Sequence, residues 1–391
     1  MLLWAGQSLA LLSDAFYIMA LVTMLYAATG TATAAALVPI VRVAALFTGG
    51  VLAPVALGRY PLLAVMQLAQ AAQWLFLLLA TALSMTDLAI AWLLVPLALS
   101  SLADGWIAPA RQSLVPRLVP SSLLVRANGW LAATDQGAQL AGWAAGGALV
   151  ALMGGERLLW FSLVLQGISS ASAFLLREDP KGTTVATSVR GWAASIALGW
   201  KTIIASRGLR TVAVSDFVEG IAGGVWAGAI MLAFVRERLG RGEDWWGYLN
   251  AAYLVGTLAG SMLVLTWASR IERSASSVIV WSAAAAGLCT AAFGWSANPW
   301  IAASLCLVLG PPTQAMEISK RTLVQRASEA EMLPAVLSAS GCVAYASFGL
   351  SVLAMGAVSD RFGAVSAYGL ASVLLVCSAL YSFLNRSALR L

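Results

Sequence analysis

Apolar stretches of roughly twenty residues recur along the whole chain, separated by short breaks of Gly, Pro and charged residues. At about 1.5 Å of rise per residue, each stretch is the length a helix needs to cross the hydrocarbon of a bilayer. The breaks predict twelve spans, at 4–28, 32–57, 61–84, 88–109, 128–153, 157–176, 209–235, 246–268, 275–294, 298–316, 333–357 and 364–385. An even number returns both ends of the chain to one side of the membrane. The pattern therefore predicts an all-α membrane protein.

Composition agrees: 60% of the residues are hydrophobic and 10% charged, against about 25% charged in soluble domains. Basic residues settle the orientation. Seventeen of the 23 fall in breaks on the side of the termini, five in breaks on the other side, and Arg42 lies inside a span, so both termini are expected in the cytoplasm. The net charge of +6 follows from those loops and their contact with anionic lipid, and implies no nucleic-acid partner. No charged segment or small-residue cleavage site precedes the first span, so that span is expected to be retained. Four cysteines lie inside spans without disulfide or metal spacing, and histidine is absent. No metal or cofactor is expected, and carboxylates remain as the candidates for carrying protons.

The longest polar stretch, 177–208, divides the chain into an N-terminal bundle at 1–176 and a C-terminal bundle at 209–391. The halves echo each other. Ser13-Asp14 pairs with Ser215-Asp216 at an offset of 202, Pro109 with Pro312 and Arg117 with Lys320 at 203, and Leu118-Val119 with Leu323-Val324 at 205. Order and spacing are kept, as expected of two pseudo-symmetric six-helix bundles with a substrate path between them.

Polar residues inside the spans carry the functional argument, because a charge at membrane depth costs a few kcal/mol. Asp14 lies about ten residues into the first span from one face and Arg42 about ten into the second from the other, so both sit roughly 15 Å deep and can pair. Gln7, Asp14 and Tyr17 share one helical face, which is expected to line the cavity. In the seventh span Asp216, Glu219, Gly223 and Trp226 form a matching stripe with two carboxylates. Asp14, Asp216, Glu219 and Asp135 are the candidates for proton coupling, and Gln136 joins the expected cavity lining. Asp104 is placed within a few turns of the cytoplasm, where Arg111, Arg117 or Arg126 can clamp it, and Glu317 is read as a clamp with Lys320 and Arg321.

Two segments are more specific. One is Pro109-Ala110-Arg111-Gln112-Ser113-Leu114-Val115-Pro116-Arg117-Leu118-Val119-Pro120, followed by Arg126-Ala127-Asn128-Gly129; the other is Phe234-Val235-Arg236-Glu237-Arg238-Leu239-Gly240 before a Gly-rich span. On these the chain resembles the major facilitator superfamily, and more narrowly its bacterial drug, macrolide and siderophore exporters. The resemblance implies the twelve-helix fold and alternating access. It also matches Gly142, Gly146 and Gly147 to the Gly-rich run of the family's antiporters, in which small residues let helices approach closely. Trp143 stands where that run has proline. The family's acidic latch between the second and third spans is missing, since Gly50-Val51-Leu52-Ala53 continues into Pro54-Val55.

An apolar cavity with aromatics and several acids suits a small amphipathic molecule better than a sugar, which needs many paired amides. The expectation is proton-coupled efflux by a monomer, surrounded by lipid in the bacterial inner membrane. A lysophospholipid flippase is the alternative within transporters, and a non-transporting scaffold or sensor the alternative outside them. No nucleophile elbow or phosphate loop argues for an enzyme.

Overall fold

The structure, a computed structural model, describes residues 2–86, 89–175, 192–226 and 228–389. Among these residues the chain is nearly all helical, with no strand. That is what a bilayer demands, since a helix satisfies its own backbone amides and carbonyls where no water can. The first half holds α1 (Leu2–Thr29), α2 (Ala32–Leu57), α3 (Leu62–Leu83), α4 (Leu94–Leu118) and α5 (Leu124–Phe174), then the shorter α6 (Trp192–Ala205). The second holds α7 (Arg207–Gly223), α8 (Gly228–Glu237), α9 (Glu243–Thr266), α10 (Ala268–Arg273), α11 (Ala275–Trp295), α12 (Pro299–Ala327), α13 (Leu333–Phe362) and α14 (Ala364–Leu384). Starts are marked by side-chain caps: Thr31 accepts from the Ala34 amide, Ser206 from Leu209, and Asn298 from Trp300 and Ile301, with Pro299 at the first helical position.

Ten helices among the described residues are long and apolar enough to cross a membrane. The count reconciles with twelve expected spans at two places. Helix α5 turns at Gly154, whose φ of 80° and ψ of 166° suit only glycine, so it holds the fifth and sixth spans. The seventh span is broken: Arg207–Trp226 and Ile230–Glu237 meet at 46°. Backbone groups freed near the break are taken up by side chains, Ser351 accepting from the Gly224 amide at 3.0 Å and bonding the Ile221 carbonyl, and Tyr368 donating to the Val225 carbonyl at 2.9 Å.

Two boundaries differ from expectation for one reason. The fourth span was expected to end at 109 and the tenth at 316, but α4 runs to Leu118 through Pro109 and Pro116, and α12 to Ala327 through Pro311 and Pro312. Neighbouring helices and local adjustment re-satisfy the carbonyls a proline frees in a membrane helix. Arg111, Arg117, Lys320, Arg321 and Arg326 thus stand on helices rather than in breaks. Of the expected linker at 177–208, residues 177–191 lie outside the described residues, and most of the rest forms α6.

The chain forms two compact units. The first comprises Met1–Leu118, Gly137–Trp200 and Ala330–Cys342; the second comprises Val119–Gln136, Lys201–Glu329 and Val343–Leu391. In the first, Phe16, Leu21, Leu97, Leu158 and Leu159 form one buried cluster and Ala53, Leu63, Met66 and Ile107 another. In the second, Phe234, Phe293, Tyr368 and Leu249 centre the main cluster, and Val125, Ala132, Val264, Ile271 and Ile318 form a smaller one.

The sequence echo reappears as a repeated set of contacts. In the first unit a side chain at Gly49 would strike the Leu102 carbonyl, bringing α2 against α4; in the second Gly256 stands the same way to the Leu307 carbonyl, bringing α9 against α12. The serines of the two Ser-Asp pairs are likewise buried ties, Ser13 donating to the Ser162 carbonyl at 2.7 Å and Ser215 bonding Ser382 Oγ at 3.0 Å.

Candidate functional site

Asp14, Arg42 and Asp104 are brought together inside the first unit by α1, α2 and α4. Arg42 Nη1 donates to Asp14 Oδ1 at 2.5 Å, and its Nη2 stands 3.6 Å from Asp104 Oδ2. One guanidinium thus faces two carboxylates, the nearer held by a charge-assisted hydrogen bond and the farther by charge alone. Beside them is a cavity of about 70 Å³, bordered by Gln7, Tyr17, Gln70, Gln73, Ser100 and Gln166 as well as the three charges. Gln166 donates to Gln73 Oε1 at 3.1 Å, while Gln70 Oε1 is buried with no hydrogen-bond partner among the described residues. At about 10–15 Å³ for each water, the volume holds roughly five to seven waters.

The second unit repeats the charge ratio with different residues. Lys320 Nζ, from α12, lies 2.9 Å from Asp216 Oδ1 and 2.6 Å from Glu219 Oε2, both on α7, and Ser378 of α14 donates to Glu219 Oε1 at 2.8 Å. The lysine is 3% exposed, so its charge is compensated by these two acids rather than by solvent. The stripe of two carboxylates on the seventh span is therefore closed by an ammonium.

The remaining expected residues fall in several places. Tyr17 is buried and lines the first cavity. Asp104 meets Arg42, and Arg111, further along α4, acts on it electrostatically; Arg111 is itself buried and Arg117 half-buried. Glu317 pairs with Arg321 at 3.3 Å, one turn apart on α12. Gln136 accepts from Thr257 Oγ1 at 3.1 Å, and Asp135 is half-buried beside it on α5. Trp226 packs at the break between α7 and α8 against Phe293, Tyr368 and Tyr253, with ring centroids 4.9, 5.4 and 6.1 Å away. Gly142 packs on Leu12 and Ala15 of α1 and Gly146 on Phe16 and Met19, whereas Gly147 faces open space and Trp143 is exposed.

Two polar sets were not anticipated. Lys320 was expected in a loop, although Thr322-Leu323-Val324 after it resumes an apolar helical pattern that signals a longer helix. The other joins α5 to α12 within the second unit. Asn128 donates to Thr322 Oγ1 at 2.9 Å and Gln325 Oε1 at 2.6 Å, and Gln325 Nε2 stands 3.4 Å from Asn128 Oδ1. Nearby, Arg326 bonds both the Ser121 carbonyl and Glu272. Glu272 lies on α10 with Arg270 and Arg273.

No protein-family model matches the chain. The uncharacterized MFS-type transporter YfmI of Bacillus subtilis (strain 168) is 28% identical over 381 residues, covering 97% of this chain and 94% of that protein. The uncharacterized MFS-type transporter YjbB of the same organism is 30% identical over 279 residues, 71% of this chain and 67% of that protein. Among solved structures, a bacterial homologue of the iron transporter ferroportin in an outward-facing state superposes with a TM-score of 0.78. It covers 99% of this chain and 97% of that one at 14% identity, a likeness of fold.

Proposed function

The chain belongs to the major facilitator superfamily, and from that premise we propose that it is a secondary active transporter exporting a small amphipathic molecule in exchange for an inward-moving cation, the proton first. It works as a monomer in the bacterial cytoplasmic membrane, with both termini in the cytoplasm. The observation that carries the coupling is Arg42 held between Asp14 and Asp104 beside a small polar cavity. Two acids share this one guanidinium within the membrane-spanning helices, and membrane proteins retain such charges where ions or protons pass. The second triad supports the reading differently: Lys320 touches both Asp216 and Glu219, so an exchangeable charge is better accommodated in the first unit.

The test is uptake of a labelled amphipathic cation into inverted vesicles under an imposed pH gradient. Asp14→Asn and Asp104→Asn are expected to lower gradient-driven uptake at least tenfold. Uptake that ignores the gradient, or that survives both substitutions, would overturn proton coupling.

A further inference from the structure

We propose that the outer face of α7 and α14 in the second unit binds one anionic phospholipid, its phosphate held by Lys201, Arg207, Arg210 and Arg386 and its acyl chains lying along the apolar stripes that lead away from them. The site is independent of what the chain carries and of the direction of transport.

Charge carries the first part. Lys201 on α6, Arg207 and Arg210 in the first turn of α7, and Arg386 just past α14 are all exposed, and no ion pair joins any of them to a carboxylate among the described residues. Arg207 Nη2 stands 3.4 Å from Asn385 Oδ1, Arg210 Nη1 donates to the Ile204 carbonyl at 3.0 Å, and the Arg386 guanidinium lies 5.0 Å from the Phe383 ring centroid. Neutral partners thus gather the bases without neutralising them. Residues 192–215 and 364–389 include no acid. Elsewhere in the unit Lys320, Arg321 and Arg326 each face a carboxylate, so the imbalance is local. Guanidinium forks match phosphate oxygens, and bases at the membrane surface draw anionic headgroups. Shape carries the second part. The exposed positions of α7 run Arg207, Arg210, Val214 and Phe217, and those of α14 include Val376, Leu380 and Phe383, with Arg386 three residues further on. Each series follows one helical face, with base at one end and apolar side chains along the rest. Ser215 bonds Ser382 and Arg207 reaches Asn385, so the basic ends of the two faces adjoin. A charged head at the end of a long apolar surface is the profile of a phospholipid, and a soluble anion would leave the stripes unused.

The experiment is native mass spectrometry of the purified full-length protein, delipidated in uncharged detergent and given phosphatidylglycerol or phosphatidylcholine with the same acyl chains. One tightly held phosphatidylglycerol per chain is expected, bound at least about fivefold more strongly than phosphatidylcholine. The preference should disappear in Arg207→Gln/Arg386→Gln and persist in Arg270→Gln/Arg273→Gln, which removes the same charge beside Glu272 on α10. Lys201→Gln should weaken the preference severalfold and reports on the cluster even where the first double variant fails to fold; an unchanged preference there would overturn the site. Equal binding of the two lipids, or the same loss in both double variants, would overturn it too. Displacement of the lipid by millimolar glycerol phosphate would overturn the lipid as occupant and leave a site for a soluble anion.

Discussion

Removing the buried Lys320 ammonium would leave Asp216, 28% exposed, and Glu219, 13% exposed, side by side without their base. Breaking a buried ion pair from one side costs about 3–5 kcal/mol, because the orphaned charge remains. Lys320→Met is therefore expected to lower stability by about that amount, with much of it recovered when Asp216→Asn and Glu219→Gln are added. Heat or SDS titration of the purified protein checks this, and a single variant as stable as the parent would sink it. The Asp14–Arg42 pair was readable in the sequence because depth arithmetic holds for spans with well-marked ends. Asp104 was not, since its span was ended at Pro109; with α4 continuing to Leu118 the carboxylate stands fourteen residues from the helix end, about 21 Å rather than a few turns. The same error hid Lys320, seven residues inside α12.

At the scale of elements, breaks made by glycine and by proline behaved differently. Gly154 bends α5 through a backbone conformation closed to other residues, and the expected division at 153–157 falls on it. Gly154→Ala should cost about 1–3 kcal/mol of stability, while Gly147→Ala, in regular helix facing open space, should cost nothing measurable. Thermal unfolding of the two variants in the same detergent compares them directly; equal melting would refute the assignment. Prolines gave a misleading signal because their penalty assumes a helix in water, and here α4 and α12 pass through four of them. The repeat was read from only a few matched residues. The structure adds Gly49 with Leu102 and Gly256 with Leu307, contacts that pairwise spacing alone cannot reveal since they join separate helices.

For the whole molecule, the sequence divides where its polar stretch lies, whereas packing groups Val119–Gln136 with the second half and Ala330–Cys342 with the first. An apolar helix carries no mark of which neighbour it will meet, so this crossing was outside the reach of sequence. Asn128 fixes one crossing segment through Thr322 and Gln325, all three buried. Asn128→Leu removes the hydrogen bonds to both partners and should cost about 1–3 kcal/mol, measured as earlier unfolding that Gln325→Leu in the same chain partly reverses. Charge has a consequence at this scale too. Each triad sets two acids against one base, so a step that carries either through part of the membrane's thickness does electrical work, about 2.3 kcal/mol per unit charge per 100 mV. A cation taken up at the first triad, as proposed above, would cancel that triad's share of the work and leave the second triad's in place. On the coupling proposed above, membrane voltage is expected to act more strongly on the ion-free return of the carrier than on the loaded stroke.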